Sequence, residues 1–117
     1  MKLDLGLENM KMIIEFWKIV FSRNKKLALK YFSPSARINI EPQNKTYFPE
    51  KYLDNFFKKS NFKLGKIVRI EFSETLVVTV CKFYPFDDAE PYYLTSFFVL
   101  ENFKIISLEQ YYSPSII

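Results

Sequence analysis

The run Tyr92–Leu100, YYLTSFFVL, limits the possible folds of this chain more than any other stretch. It reads as a β-strand, rich in aromatic and β-branched residues and bounded by turn signals. A strand with one wet face should alternate apolar and polar residues. Here Tyr93, Thr95, Phe97 and Val99 share one face, and Tyr92, Leu94, Ser96, Phe98 and Leu100 share the other. Neither face is polar enough for water. One face must cover the chain's own helices, and the other must meet something else, most simply a second copy of the chain.

The rest of the chain supplies those helices. Met10, Ile13, Ile14, Trp17, Val20 and Phe21 follow the i, i+3, i+4, i+7 spacing of a buried helix face, and Ser22-Arg23-Asn24 interrupts it. A short second helix carries Leu27, Ala28, Tyr31 and Phe32 and ends at Ser33-Pro34, because the residue before proline disfavours helical geometry. Ala36–Ile40 alternates strictly, with Arg37 and Asn39 opposite Ile38 and Ile40, and a short strand at Lys45–Phe48 returns beside it. Pro49 suits the first turn of a third helix bearing Tyr52, Leu53, Phe56 and Phe57, with Lys58 and Lys59 in its last turn. Strands follow at Lys66–Phe72, Leu76–Tyr84, Tyr92–Leu100 and Lys104–Tyr112. Their turns fall at Ser73-Glu74-Thr75, Pro85-Phe86-Asp87-Asp88 and Asn102, where asparagine tolerates a left-handed backbone. The expected architecture is α+β, one domain over residues 1–117, with helices packed on one face of a long antiparallel meander.

Composition narrows the chemistry. The 117 residues contain no histidine, which removes the commonest general base, the usual triads and imidazole metal sites. Cys81 is the sole cysteine and lies in an apolar run, as a small core residue would. Two glycines, Gly6 and Gly65, leave no phosphate-cradling loop. No cofactor or metal is expected. A net charge of +4 does not call for a nucleic-acid partner, and the basic stretch Lys58, Lys59, Lys63, Lys66 and Arg69 reads as solvated surface. Glu15 and Lys18 within the first helix argue against a membrane span, and the opening residues lack the apolar core of a leader, so the cytoplasm is the expected compartment. Aromatic residues make up 19% of the chain, and rings of that size fill wide interiors and line ligand cavities.

Several short motifs, in order and spacing, resemble the nuclear transport factor 2-like superfamily, near its SnoaL-like polyketide cyclase and ketosteroid isomerase branches. These are Phe32-Ser33-Pro34-Ser35-Ala36 at the first long strand, Ser96-Phe97-Phe98, Glu101-Asn102-Phe103-Lys104-Ile105, and Gln110-Tyr111-Tyr112. The resemblance spans roughly residues 8 to 113. It implies a cone-shaped, strongly curved sheet wrapped around about three helices, an α+β barrel with an apolar pocket inside, and dimerisation through the outer sheet face. The fold hosts isomerases, cyclases, dehydratases, hydrolases and plain binding modules, so it does not set the activity.

In the isomerase relatives a carboxylate base lies late in the first long strand. Glu41-Pro42 is the tempting match, but spacing from Phe32 and Ala36 puts Ile40 at that position. Parity groups Glu41 with Arg37 and Asn39, and it turns inward only if a bulge intervenes. Tyr93 stands where many relatives carry histidine, and Gln110 where they carry a carboxylate. Glu41 and Tyr93 are thus the catalytic candidates, and Trp17, Ile38, Ile40, Tyr52, Phe56, Tyr93, Gln110 and Tyr112 the ligand-binding ones. Three readings follow: a homodimeric domain binding a small hydrophobic ligand, an isomerase- or cyclase-type enzyme, and a structural or protein-interaction module.

Overall fold

The computed structural model describes residues 4–41, 44–87 and 89–114. The first helix, α1 (Leu5–Phe21), begins five residues before its first periodic apolar position. Asp4 is the cause: its side chain accepts a hydrogen bond from the Leu7 amide and caps the helix. Next come α2 (Lys25–Leu29), capped by Asn24, then β1 (Phe32–Glu41), β2 (Lys45–Tyr47) and α3 (Pro49–Lys59). The meander follows as β3 (Phe62–Phe72), β4 (Leu76–Pro85), β5 (Tyr92–Glu101) and β6 (Lys104–Ser113). The residue types and order match the α+β expectation. β1 and β3 start four residues earlier than their alternation suggests, and Pro34 sits in β1 where the pairing with β6 shifts register. Asp88 of the expected β4–β5 turn lies outside the described residues.

The six strands form one mixed sheet in the order β2-β1-β6-β5-β4-β3. All neighbours are antiparallel except β1 and β6, which run parallel. The sheet curls around the helices, but it stays open between β2 and β3, so the expected barrel is not closed. Among the described residues no helix is long and apolar enough to cross a membrane.

Strand parity decides what faces inward. Val77, Thr79, Cys81 and Phe83 of β4, and Leu94, Ser96, Phe98 and Leu100 of β5, are buried under the helices. Phe16 and Trp17 of α1 meet Phe98 edge-on at 5.7 and 6.0 Å, geometry that suits the ring quadrupole. Gly65 lets α1 settle onto β3: a Cβ there would lie 2.7 Å from the Phe21 ring.

Three non-glycine turns are held in left-handed backbone, one of them at Asn44, with φ of 53°, between β1 and β2. Asn102 and Phe103, with φ of 52° and 59°, make the two-residue β5–β6 turn between the paired Glu101 and Lys104. Arg23, with φ of 61°, ends α1. From there its guanidinium donates to the carbonyls of Phe57 (3.2 Å), Ser60 (2.8 Å) and Phe62 (3.3 Å). It also lies 4.4 Å from the Phe62 ring centre. A cation is thus placed on the open carbonyls ending α3, tying the ends of two helices together. Arg23→Ala removes these contacts and leaves a Cβ in the left-handed region, whereas Arg23→Gly removes the contacts but relieves the backbone. Urea unfolding should show Arg23→Ala less stable than wild type by about 2 kcal/mol and Arg23→Gly by about 1 kcal/mol.

Candidate functional site

A concavity framed by the helices and sheet lies where α3 meets the ends of β1, β4 and β6 and the start of β5. It is a cavity of about 450 Å³. Helix α3 supplies one wall through Tyr52, Asn55, Phe56 and Lys59, which recur at helical spacing and so share a face. The chain leaving α3 adds Ser60 and Asn61. Ile40 and Tyr47 come from β1 and β2, Pro85, Asp87 and Ala89 from the end of β4 and its loop, and Tyr92 and Tyr112 from β5 and β6. Ile40, Tyr52, Phe56 and Pro85 are buried and form the inner part, while Lys59, Asn61, Asp87, Ala89 and Tyr112 are exposed at the mouth. The rings brace one another: Tyr52 packs on Phe56 at 5.9 Å, Tyr92 stacks on Phe83 at 5.3 Å, and Tyr112 meets Tyr92 at 5.9 Å.

Behind the cavity runs a row of buried polar side chains. Thr79, Ser96 and Gln110 occupy paired positions on β4, β5 and β6, and each is fully shielded from solvent. Trp17 Nε1 donates to Thr79 Oγ1 at 3.0 Å. The Tyr52 hydroxyl donates to Gln110 Oε1 at 2.7 Å, and Gln110 Nε2 donates to Ser96 Oγ at 3.0 Å. Among the described residues no buried side-chain nitrogen or oxygen lacks a partner, so the row is a satisfied network.

Burial sets the charge state of the phenols. It pushes Tyr52 well above the usual tyrosine range, reinforced by Tyr112 and opposed by the Gln110 hydrogen bond. It raises Tyr112 as well, with Tyr92 adding to the effect and Ser60 opposing it, even though 44% of the Tyr112 surface remains open to solvent. Tyr92 is raised by burial too, against Ser60 and Arg23. Burial likewise lifts the Cys81 thiol, in keeping with an inert core residue.

Of the eight ligand-binding candidates, the structure brings Ile40, Tyr52, Phe56 and Tyr112 together around the cavity. Trp17 and Ile38 are fully buried in the core behind it, and Gln110 is reached only through Tyr52. Tyr93 requires a correction. It stands on the outer sheet face beside Lys82, 5.7 Å from that ammonium, and its neighbour Tyr92 occupies the wall. The reason is the two-residue period of a strand. Glu41 is corrected on the same ground: no bulge turns it inward, and it pairs with Tyr111 at the end of β1, away from the cavity lining. Pro42 lies outside the described residues. Asn55 and Lys59 were legible from their spacing to Tyr52 and Phe56, and Tyr92 from its parity with Leu94. Asp87 and Ala89 carried no signal, because a loop has no period. The basic stretch is exposed, with Arg69 paired to Glu71 at 2.9 Å and Lys59 at the cavity mouth.

A curled, open sheet of six strands over three helices, hollow at one end, is the nuclear transport factor 2-like fold, and the chain has that fold. It is similar over 97% of its length to a nuclear transport factor 2-like protein of unknown function from Burkholderia xenovorans LB400, with a TM-score of 0.83, 13% identity and 89% of that chain covered. A candidate ketosteroid isomerase from Kribbella flavida aligns over 96% of this chain and 82% of its own at a TM-score of 0.82 and 8% identity. An LEH-like epoxide hydrolase of M. tuberculosis aligns over 92% and 84% at a TM-score of 0.73 and 10% identity. At these identities the likeness is one of fold. No family model matches the sequence, and no curated protein matches it.

The raised phenols have a consequence at alkaline pH. An unfolded tyrosine ionises near pH 10, while Tyr52, Tyr92 and Tyr112 in the folded chain hold their protons beyond it. Their contribution to stability is therefore intact below about pH 10 and is lost as the pH rises through the folded-state values. Ultraviolet titration of the phenolate band should show four late tyrosines, these three and Tyr111, which the Glu109 carboxylate raises. Replacing Tyr52 by Phe should remove one of the four.

Proposed function

We propose that this chain is a single small-molecule-binding domain that takes up a compact, largely apolar ligand in the cavity beside α3. The observation that carries this reading is the mismatch between wall and chemistry. The inner wall is aromatic and aliphatic, and the positions where the isomerase relatives keep acid–base groups hold Ile40 and Gln110. An amide does not transfer protons as a carboxylate does. With Glu41 and Tyr93 turned away, burial and one or two hydrogen bonds are what the inner end of the site has to offer, while the charged Lys59 and Asp87 stand at its mouth. Burying about 200 Å² of ligand surface contributes about 5 kcal/mol before the cost of association. A two-ring hydrocarbon bearing one polar group should therefore bind weakly, with a dissociation constant of about 0.1 mM or above. Ile40→Trp would fill the cavity from its inner end. Calorimetry should then show binding lost while circular dichroism stays that of the wild type. Binding that survives Ile40→Trp would place the ligand elsewhere.

The same proposal makes the protein a homodimer through the outer sheet face, and a cytoplasmic one, since a single cysteine leaves no internal disulfide for an oxidising compartment to favour. A shallow apolar groove on that face is lined by Leu76, Thr95, Phe97, Val99, Ser107, Glu109 and Tyr111. Phe97 and Tyr111 meet edge-on at 5.8 Å in its floor, and 36% of Phe97 is exposed. Light scattering should report twice the chain mass of 14.0 kDa for the wild type and one chain mass for Phe97→Glu. A wild-type monomer across the micromolar range would overturn the dimer.

A further inference from the structure

The inner end of the cavity is polarised by the direction of one hydrogen bond. Tyr52 donates to Gln110 Oε1 at 2.7 Å. The other end of that amide is engaged, with Nε2 donating to Ser96 Oγ at 3.0 Å, and the carbonyl oxygen faces Tyr52. Gln110 and Ser96 are fully buried, and water cannot take over either bond. A phenol has one proton and two lone pairs. The Tyr52 proton is committed to Gln110, and what remains for the cavity is a lone pair. Burial keeps this phenol protonated, so the arrangement does not change across the neutral range. The other inner walls, Ile40, Phe56 and Pro85, have no side-chain proton to offer. The other side-chain donors of the lining, Tyr47, Asn55, Lys59, Ser60, Asn61, Tyr92 and Tyr112, are half-buried or exposed, outside that buried inner end.

We infer that the ligand presents a hydrogen-bond donor, a hydroxyl or an N–H, to the Tyr52 oxygen, and that a carbonyl at that point is disfavoured. A carbonyl oxygen there would face another lone pair with no proton between them, and a buried acceptor left unpaired is penalised more than a formed bond is rewarded. This rests on the ligand-binding reading above and assigns its chemistry: a neutral alcohol, phenol or N–H compound on a compact apolar skeleton, not a ketone.

The test uses 1-tetralol and 1-tetralone, which share one bicyclic skeleton and differ only in carrying an alcohol or a ketone at the same carbon. Calorimetric titration of the wild-type protein should show the alcohol binding about tenfold more tightly. In Tyr52→Phe that preference should vanish through loss of alcohol affinity, with ketone affinity unchanged. The wild-type comparison stands whether or not the variant folds. If the ketone binds as well as or better than the alcohol, this inference is overturned and the ligand-binding reading survives. An alcohol preference that persists in folded Tyr52→Phe overturns the assignment to Tyr52. If neither compound binds, the ligand-binding reading falls and takes this inference with it.

Discussion

Thr79, Ser96 and Gln110 sit side by side on three adjacent strands, in the middle of a sheet face that is otherwise apolar. Polar side chains in that position are costly unless every donor and acceptor is met. The network meets them by reaching outward: Trp17 of α1 docks on Thr79, and Tyr52 of α3 docks on Gln110. Apolar packing can slide by a fraction of an ångström with little penalty, but a hydrogen bond of 2.7 to 3.0 Å in a dry interior cannot. The row therefore sets where each helix sits along the strands. Arg23 then ties the far ends of α1 and α3 together through the Phe57, Ser60 and Phe62 carbonyls. The cavity lies between these two anchorages.

That placement explains why the cavity persists in a chain so rich in aromatic residues. Tyr52 cannot swing into the space while its hydroxyl is held by Gln110, and Phe56 shares its helix face. Tyr92 is held flat against Phe83, and Tyr112 leans on Tyr92. Rings fixed against one another at 5 to 6 Å make stiff walls that do not collapse inward. The same network removes titratable chemistry from the inner end, since an uncharged amide and a protonated phenol satisfy each other.

The outer face follows a different logic. It combines the apolar groove around Phe97 with a basic end, where Lys66 and Lys82 lie directly opposite each other across β3 and β4. Two like charges in register are unfavourable. Here the Tyr84 ring lies 5.0 Å from the Lys82 ammonium and 5.7 Å from that of Lys66, and Tyr93 lies on the other side of Lys82. Aromatic faces thus soften a repulsion that no carboxylate answers among the contacts described. Tyr93, which the sequence comparison placed at a catalytic position, belongs to this surface cluster.

Periodicity in the sequence determined the elements, their order and which side chains face inward, because alternation and helical spacing are properties of the local backbone and need no partner to be expressed. On that basis Ile38 and Ile40 were inward, Glu41 was outward, and Tyr52 and Phe56 shared a buried face. Parity also separated Tyr92 from Tyr93, so the error over Tyr93 came from weighing a resemblance above the period of its own strand. Element starts were less legible: Asp4 capping α1 and the register shift near Pro34 are single-residue events with no repeat to reveal them. Only the tertiary structure decided that Trp17 and Ile38 stand behind the cavity and not in its wall. It alone showed that the sheet stays open, that residues from the β4–β5 loop complete the rim, and that Gln110 is the partner of Tyr52, 58 residues away. Those outcomes depend on how far the sheet curls and where two helices dock on it. Distances between elements remote in the chain are set by packing and by the buried polar row, and a one-dimensional pattern holds no record of either.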